Sequence, residues 1–318
     1  MKAPSLLKID ASMVRAAIKA HVGSVALEVK RLSGSKMNQG FRVSTSKGSF
    51  ILRAAPKGAN GGLGREAWCF GALKRACVPV PDVIAHDTRR RMLPTSFLIT
   101  TYQPGECLSD IFPSKPMFRK ELGRSVGKAL AKVHSVKVKN FGLLDHKGVG
   151  EKKTWDEVSL ADFKNDMQWI AKQNLLKPEE IQAIHSLIND RKDCLSWTDS
   201  RLIHSDIRLD HVLALGLDVS ALLDFEKGKG GDPAWDFGQM YNCFYFNRER
   251  PFVESVRTSY ELSAGKRVDM KRVWLYCLME RVSTLREDVE IDGTEPALAK
   301  RFHRTVIERI SNQIKGLE

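Results

Sequence analysis

The apolar residues of this chain change their spacing once, at Pro104-Gly105, and that change limits what the chain can fold into. Before it, short segments alternate apolar and polar residues, as half-buried strands do. Phe41–Thr45 and Phe50–Arg53 alternate across Lys47-Gly48, which predicts a β-hairpin, and Val25–Leu32 and Phe97–Tyr102 read as further strands. Asp10 can cap a short helix whose apolar stripe is Met13, Val14, Ala17 and Ile18. Ser33–Gly40 reads as a loop, Gly58–Gly64 as a mobile glycine-rich linker, Glu66–Arg75 as a helix, and Pro79 and Pro81 set up an extended segment. After Gly105 the spacing is helical over Glu121–His134, Leu160–Gln173, Pro178–Ile188 and much of 252–318. One interruption, Arg201–Asp236, holds two short apolar segments, Val212–Ala214 and Ala221–Phe225. The pattern predicts an α+β chain of two lobes: a small antiparallel β-rich lobe over 1–103 and a larger, mainly helical lobe over 104–318, joined by a hinge.

A chain of 318 residues is long enough for two such units. Its longest apolar runs, such as Val78–Val83, fall far short of the roughly 20 residues a membrane span needs. The first residues lack the apolar core of a signal peptide, so a cytoplasmic location and no membrane partner are expected. Six cysteines (69, 77, 107, 194, 243 and 277) lie far apart with no CxxC pair. They read as reduced, mostly buried thiols, not a zinc site. The net charge is +13, and the first 103 residues hold 17 Lys and Arg against 5 Asp and Glu. No basic helix is interleaved with aromatics, so a solvated surface or a site for nucleotide phosphate is expected in preference to nucleic acid.

The chemistry is concentrated in His204-Ser205-Asp206-Ile207-Arg208-Leu209-Asp210-His211, then Leu222-Leu223-Asp224-Phe225-Glu226, then Gly231-Asp232-Pro233-Ala234-Trp235-Asp236. Asp206 follows an apolar segment, His211 opens a short strand, and a second strand ends at Asp224. A turn between the two strands would bring all three to one mouth. Single Asp and His residues in loops are usually caps or turn formers. Three at this spacing suit phosphoryl transfer, in which one carboxylate orients the attacking hydroxyl and other groups hold Mg²⁺ against nucleotide phosphates.

These three stretches resemble the catalytic and metal-binding loops of the aminoglycoside phosphotransferase-like kinases, and the likeness extends over about residues 20–310. The resemblance implies the bilobal protein-kinase-like fold and transfer of the γ-phosphate of ATP or GTP to a hydroxyl of a small molecule. Acceptors across that family include aminoglycosides, macrolides, choline and homoserine. By position, Asp206 would be the catalytic base, His204 a structural member of the catalytic loop, Asp224 the principal metal ligand and Asp236 a buttress of the loop. The nucleotide-covering loop would be Ser33–Phe41, with Ser33, Gly34 and Ser35 at the phosphates. Arg53 falls where kinases place the phosphate-anchoring Lys, Glu66 is its natural ion-pair partner, and Thr100, Thr101 and Tyr102 fall at the hinge against the nucleobase. Two departures stand out. Arg53 replaces Lys, keeping the charge and gaining bidentate reach. His211 replaces a metal-binding Asn, so the site is expected to hold Mg²⁺ mainly through Asp224 or to accept Mn²⁺ well.

The acceptor is less legible. Glu287–Glu295 places five carboxylates in nine residues, either a solvated helix end or a rim that attracts a cationic, amine-bearing acceptor. The aromatics Trp235, Tyr241, Phe244, Tyr245 and Phe246 read mostly as core. Antibiotic resistance and primary metabolism both remain open on this reading. The alternative to an active small-molecule kinase is a nucleotide-binding regulatory module without transfer, motivated by Arg53 and His211. The oligomeric state is left open.

Overall fold

The computed structural model describes residues 9–32, 38–56, 62–90 and 92–317. The expected phosphate-loop residues Ser33, Gly34 and Ser35 lie outside them. Helix α1 (Ala11–Val22) begins where the Asp10 carboxylate accepts the Ser12 and Met13 amides and ends at left-handed Gly23. Strands β1 (Ala26–Arg31), β2 (Gln39–Thr45) and β3 (Gly48–Ala54) follow, then α2 (Gly62–Arg75), β4 (Val83–Asp87) and β5 (Phe97–Thr101). They build one antiparallel sheet in the order β1-β2-β3-β5-β4. The expected hairpin forms, with Thr45 opposite Gly48. Of the expected linker over Gly58–Gly64, residues 58–61 lie outside the described residues and Gly62 already opens α2.

The period-two rule sorts this sheet's side chains. Phe41, Val43, Phe50, Leu52, Phe97 and Ile99 pack against α1, while Leu98 joins Leu63, Cys69 and Phe70 on the α2 side. That second apolar cluster continues without a break into the helices that follow.

The helical part comprises β6 (Glu106–Cys107), α3 (Leu108–Ser114), α4 (Arg119–Val133), β7 (Phe141–Leu144), β8 (Gly150–Lys152), α5 (Asp156–Lys172) and α6 (Pro178–Asn189). Strands β9 (Arg201–Ile203), β10 (Val212–Leu215), β11 (Asp218–Leu222) and β12 (Lys229–Gly231) follow. It closes with α7 (Ala234–Met240), a π-helical turn Tyr241–Tyr245, α8 (Arg250–Ala264), α9 (Met270–Glu290) and α10 (Pro296–Lys315). Helices α4 and α8 lie close because Gly123 and Gly127 fall four residues apart on one face of α4. A Cβ on Gly127 would sit 2.4 Å from the Val256 carbonyl oxygen. Short strands β7, β8, β9 and β12 escape the sequence pattern, since three or four residues are too few to show a period; they form a second sheet, β8-β7-β12-β9. The cysteines are free, but only Cys69 and Cys277 are buried; Cys77, Cys194 and Cys243 are exposed, against expectation. No described helix is long and apolar enough to cross a membrane.

Candidate active site

Two short strand pairs build the site. Strand β9 pairs with β12, Ile203 opposite Lys229, and so fixes where the loop His204–His211 begins. Strands β10 and β11 pair with Val212 opposite Leu222. The register carries on one step, as the Leu223 amide donates to the His211 carbonyl at 2.8 Å. His211 and Asp224 therefore meet at one end of this hairpin.

The loop is held from inside. Asp236, fully buried on α7, accepts the His204 amide at 2.8 Å and the Ser205 amide at 2.9 Å. His134, from the end of α4, donates its Nε2–H to the same carboxylate at 3.0 Å. Burial alone would raise the Asp236 carboxyl; the His134 hydrogen bond, the two nearby imidazoles and the backbone donor outweigh it and hold it below the usual range. The backbone turns sharply here, with Ser205 in the left-handed region at φ 59°. That turn lets two successive amides face one carboxylate. The buried His204 ring donates Nε2–H to the Leu223 carbonyl at 2.9 Å, tying the loop to the strand before Asp224. Its pKa is pushed down, chiefly by burial, so it stays neutral. Among the described residues, then, His204 braces the loop and Asp236 buttresses it.

Asp206, His211 and Asp224 offer ligand atoms that all lie within 4.8 Å of one another. The His211 Nδ1 is 2.8 Å from the Asp206 carbonyl oxygen, which can only accept, so Nδ1 carries the proton. Its other ring nitrogen, Nε2, lies 3.4 Å from Asp224 Oδ2. One nitrogen and two carboxylates thus lie close enough to share one cation. The set fits a divalent ion, and its single imidazole among carboxylates suits Mn²⁺ at least as well as Mg²⁺. Asp224 itself stands in the left-handed region at φ 62°, a conformation Asp tolerates better than most residues.

Across from this cluster, Arg53 on β3 forms an ion pair with the buried Glu66 of α2. Its other arm lies 3.9 Å from Asp224 and 3.4 Å from Glu226. Glu226, which sequence reasoning did not single out, also accepts the Asn38 side chain. Burial raises the Glu226 carboxyl; Arg53 opposes that and Asp224 adds to it. At the end of β5 the amides of Thr101 and Tyr102 donate to the Asp82 and Ser49 carbonyls, both at 3.0 Å. Thr100 is buried and paired with Ile51 and Val83. Sheet bonding thus takes up the amides of Thr101 and Tyr102, two of the three hinge residues whose backbone groups are expected to meet a base.

On the far side of Asp206 a cavity of about 520 Å³ opens between α5, α7 and α9. Asp206 lines it, and Lys227 reaches to 3.6 Å from its Oδ1. The acidic stretch divides: Glu287 and Glu290 line the cavity, Asp288 bonds His303 at 2.8 Å, and Glu295 caps α10. Arg286 bridges Glu290 and Asp166 in the same wall. Glu280 and Glu287, two turns apart on α9, line it with no ion pair within 4.0 Å among the described residues. Burial, reinforced by Glu287, pushes the Glu280 carboxyl up to about 7, against the pull of Lys229 and Lys227 and a Gln239 hydrogen bond. Glu287 is also raised, by burial first. Glu280, Glu226 and Lys227 carry no spacing signal that would have found them. Of the aromatics, Trp235 lines this cavity, while Tyr241 is buried and stacks on Tyr245.

An inward-held loop, a hairpin bearing His and Asp, and an Arg–Glu pair joining a facing antiparallel sheet to its helix define a kinase-like phosphotransferase architecture. The chain belongs to the phosphotransferase enzyme family, whose profile matches residues 28–272. It is similar to aminoglycoside phosphotransferase APH(4)-Ia, solved as a thermostable mutant in ternary complex with AMP-PNP and hygromycin B (TM-score 0.72, 17% identity, 95% of this chain and 98% of that one). A putative fructosamine-3-kinase from Thermobifida fusca is similar too (TM-score 0.67, 19% identity, 95% and 98%). At such identity the likeness shows the fold. Among curated proteins, a probable acyl-CoA dehydrogenase, IBR3, of Arabidopsis thaliana is 26% identical over 239 residues, which are 69% of this chain. The chain spans only 28% of that protein's length. Family and fold together support small-molecule phosphotransfer.

Proposed function

We propose that this chain transfers the γ-phosphate of ATP or GTP to a hydroxyl of an amine-bearing small molecule. One observation carries the reading: Asp206 belongs both to the ligand cluster with His211 and Asp224 and to the wall of the acceptor-sized cavity. A base must reach the acceptor hydroxyl while the phosphates lie on its other side, and Asp206 stands on that boundary.

In this reading the 1–103 lobe holds the nucleotide and the 104–318 lobe the acceptor. Arg53, oriented by Glu66, contacts the phosphates together with the Ser33–Ser35 loop. The Thr101 carbonyl and the Gln103 amide, the next N–H beyond the sheet-bonded pair, meet the base. Asp224 and His211 hold Mg²⁺ or Mn²⁺, which when bound neutralises charge on the transferring phosphate. Asp206 accepts the hydroxyl proton as that oxygen attacks in line. Glu280 and Glu287 receive the acceptor's ammonium group, since two unpaired carboxylates in one wall are complementary to a cation.

The test is transfer of labelled γ-phosphate from ATP and GTP, with Mg²⁺ or Mn²⁺, to aminoglycosides, macrolides, amino alcohols and homoserine. Transfer that vanishes in Asp206→Asn, with nucleotide binding kept, supports the assignment. Undiminished transfer in that variant refutes it. Nucleotide binding without transfer to any acceptor would favour the regulatory module.

A further inference from the structure

A second cavity, of about 470 Å³, lies behind the acceptor wall, between the π-helical turn, α9 and α10. Asn242 and Cys243 line both cavities. The second is of opposite character. Phe246, Leu298, Phe302 and Val306 supply apolar surface, and three arginines, 281, 301 and 309, supply charge, with no carboxylate in the lining. Leu298, Arg301, Phe302, Thr305, Val306 and Arg309 recur at three- and four-residue steps, so they form one continuous face of α10.

Three features separate this face from ordinary solvated surface. Leu298 and Phe302 are 62% and 59% exposed side by side; an apolar patch in a concave site marks a binding surface more often than scattered residues do. Arg304, one turn along the same helix, pairs with Glu180, yet Arg301 and Arg309 have no carboxylate within 4.0 Å among the described residues. Arg281 is only 7% exposed, and its Nε is buried without a hydrogen-bond partner. One Arg281 Nη donates to the Asn242 carbonyl, and the guanidinium lies 5.7 Å from the Phe302 ring centre.

We propose that this cavity is a binding site for an amphipathic organic monoanion, an aliphatic or aryl carboxylate. Its tail lies along Leu298, Phe302 and Val306, and its carboxylate is taken by Arg281 with Arg301 and Arg309. Arginine suits a carboxylate because its planar fork matches both oxygens. The site is independent of the transfer reaction, so its test needs no acceptor.

The intact chain is titrated calorimetrically with decanoate, and with decanol and decyltrimethylammonium as controls whose alkyl tail is one carbon longer. A single decanoate should bind, roughly tenfold or more tighter than decanol, about one charge-assisted hydrogen bond's worth. The ammonium compound should not saturate. The double variant Arg301→Gln/Arg309→Gln and the single variant Phe302→Ser should each weaken decanoate by roughly tenfold or more with unchanged melting temperature. Independently of any variant, decanoate should slow maleimide labelling of Cys243 and leave the exposed Cys77 and Cys194 unaffected. Equal affinity for decanol and decanoate, a double variant that binds like the parent, or labelling of Cys243 at an unchanged rate would each overturn the assignment.

Discussion

Replacing Asp236 by Asn tests the framework of the site in one atom. Three donors converge on this carboxylate: the His204 and Ser205 amides and the His134 ring, at 2.8, 2.9 and 3.0 Å. Hydrogen bonds to a charged group are worth about 1.5–3 kcal/mol each. An Asn oxygen can keep those on one side, but its NH₂ then faces a donor, and a buried donor without an acceptor costs a further 1–3 kcal/mol or so. With the charge also removed from beside His134, the expected loss is about 3–5 kcal/mol, typical of a broken buried pair. It is read as a fall in denaturant midpoint at constant slope. Because Asp236 sits below its ordinary pKa, the carboxylate's stabilisation is complete above the unfolded value near 4 and fades as pH falls through the folded one. The Asn variant should therefore lack part of the parent's loss of stability in acid. A loop displaced by an ångström should also cost roughly 100-fold in kcat, with much less effect on nucleotide affinity. A midpoint change worth under about 1 kcal/mol would refute the argument, since no charged hub removed from a core is that cheap.

Four further predictions concern other parts of the molecule. Glu280 has its carboxyl raised to about 7, so the folded state holds a proton there that the unfolded state has lost, and stability falls as pH rises from about 4 to 7; Glu280→Gln should melt higher than the parent at pH 8, with the gap closing near pH 5, and an unchanging gap would count against it. Binding of an amine-bearing acceptor should expel that proton, seen as heat that varies with buffer ionisation enthalpy at pH 7. His211→Asn should shift the metal optimum from Mn²⁺ toward Mg²⁺ in nucleotide-dependent assays, because an amide oxygen replaces the imidazole nitrogen; an unchanged Mn²⁺ to Mg²⁺ ratio would remove His211 from the metal site. Gly127→Ala puts a methyl 2.4 Å from the Val256 carbonyl oxygen and should destabilise by about 1–3 kcal/mol, measured by thermal melting.

Much of this was legible in the residues. The hairpin over 41–53 and the long helices announce themselves because their periods run for many residues. Asp206, His211 and Asp224 could be grouped because a single short hairpin separates the last two, so spacing alone implies proximity. Glu66 was legible as a partner of Arg53 only through the family resemblance, and the two do pair. The acceptor wall was not. Glu280 sits in a helix whose neighbours Leu278, Met279 and Val282 are all buried, and nothing in that run says which turn faces a cavity. His134 lies 102 positions from Asp236, and its role depends on where α4 ends in space. The dense acidic segment misled in part, because Asp288 and Glu295 serve α10 and only Glu287 and Glu290 look inward.

The long helix α9 has a buried side and a cavity side on the same rod. The loop His204–His211, by contrast, is anchored to α7, itself braced by His134 at the end of α4, and shares no hydrogen bond with α9 among the described residues. On the proposed reading, chemistry and acceptor choice reside on separately supported parts. Exchanges at Glu280, Ser283, Glu287 and Glu290 should retune which acceptor is taken while the loop keeps its shape. For an evolving lineage, or for a designer, that is a dial: the same phosphoryl machinery can be pointed at a new hydroxyl by editing one helical face.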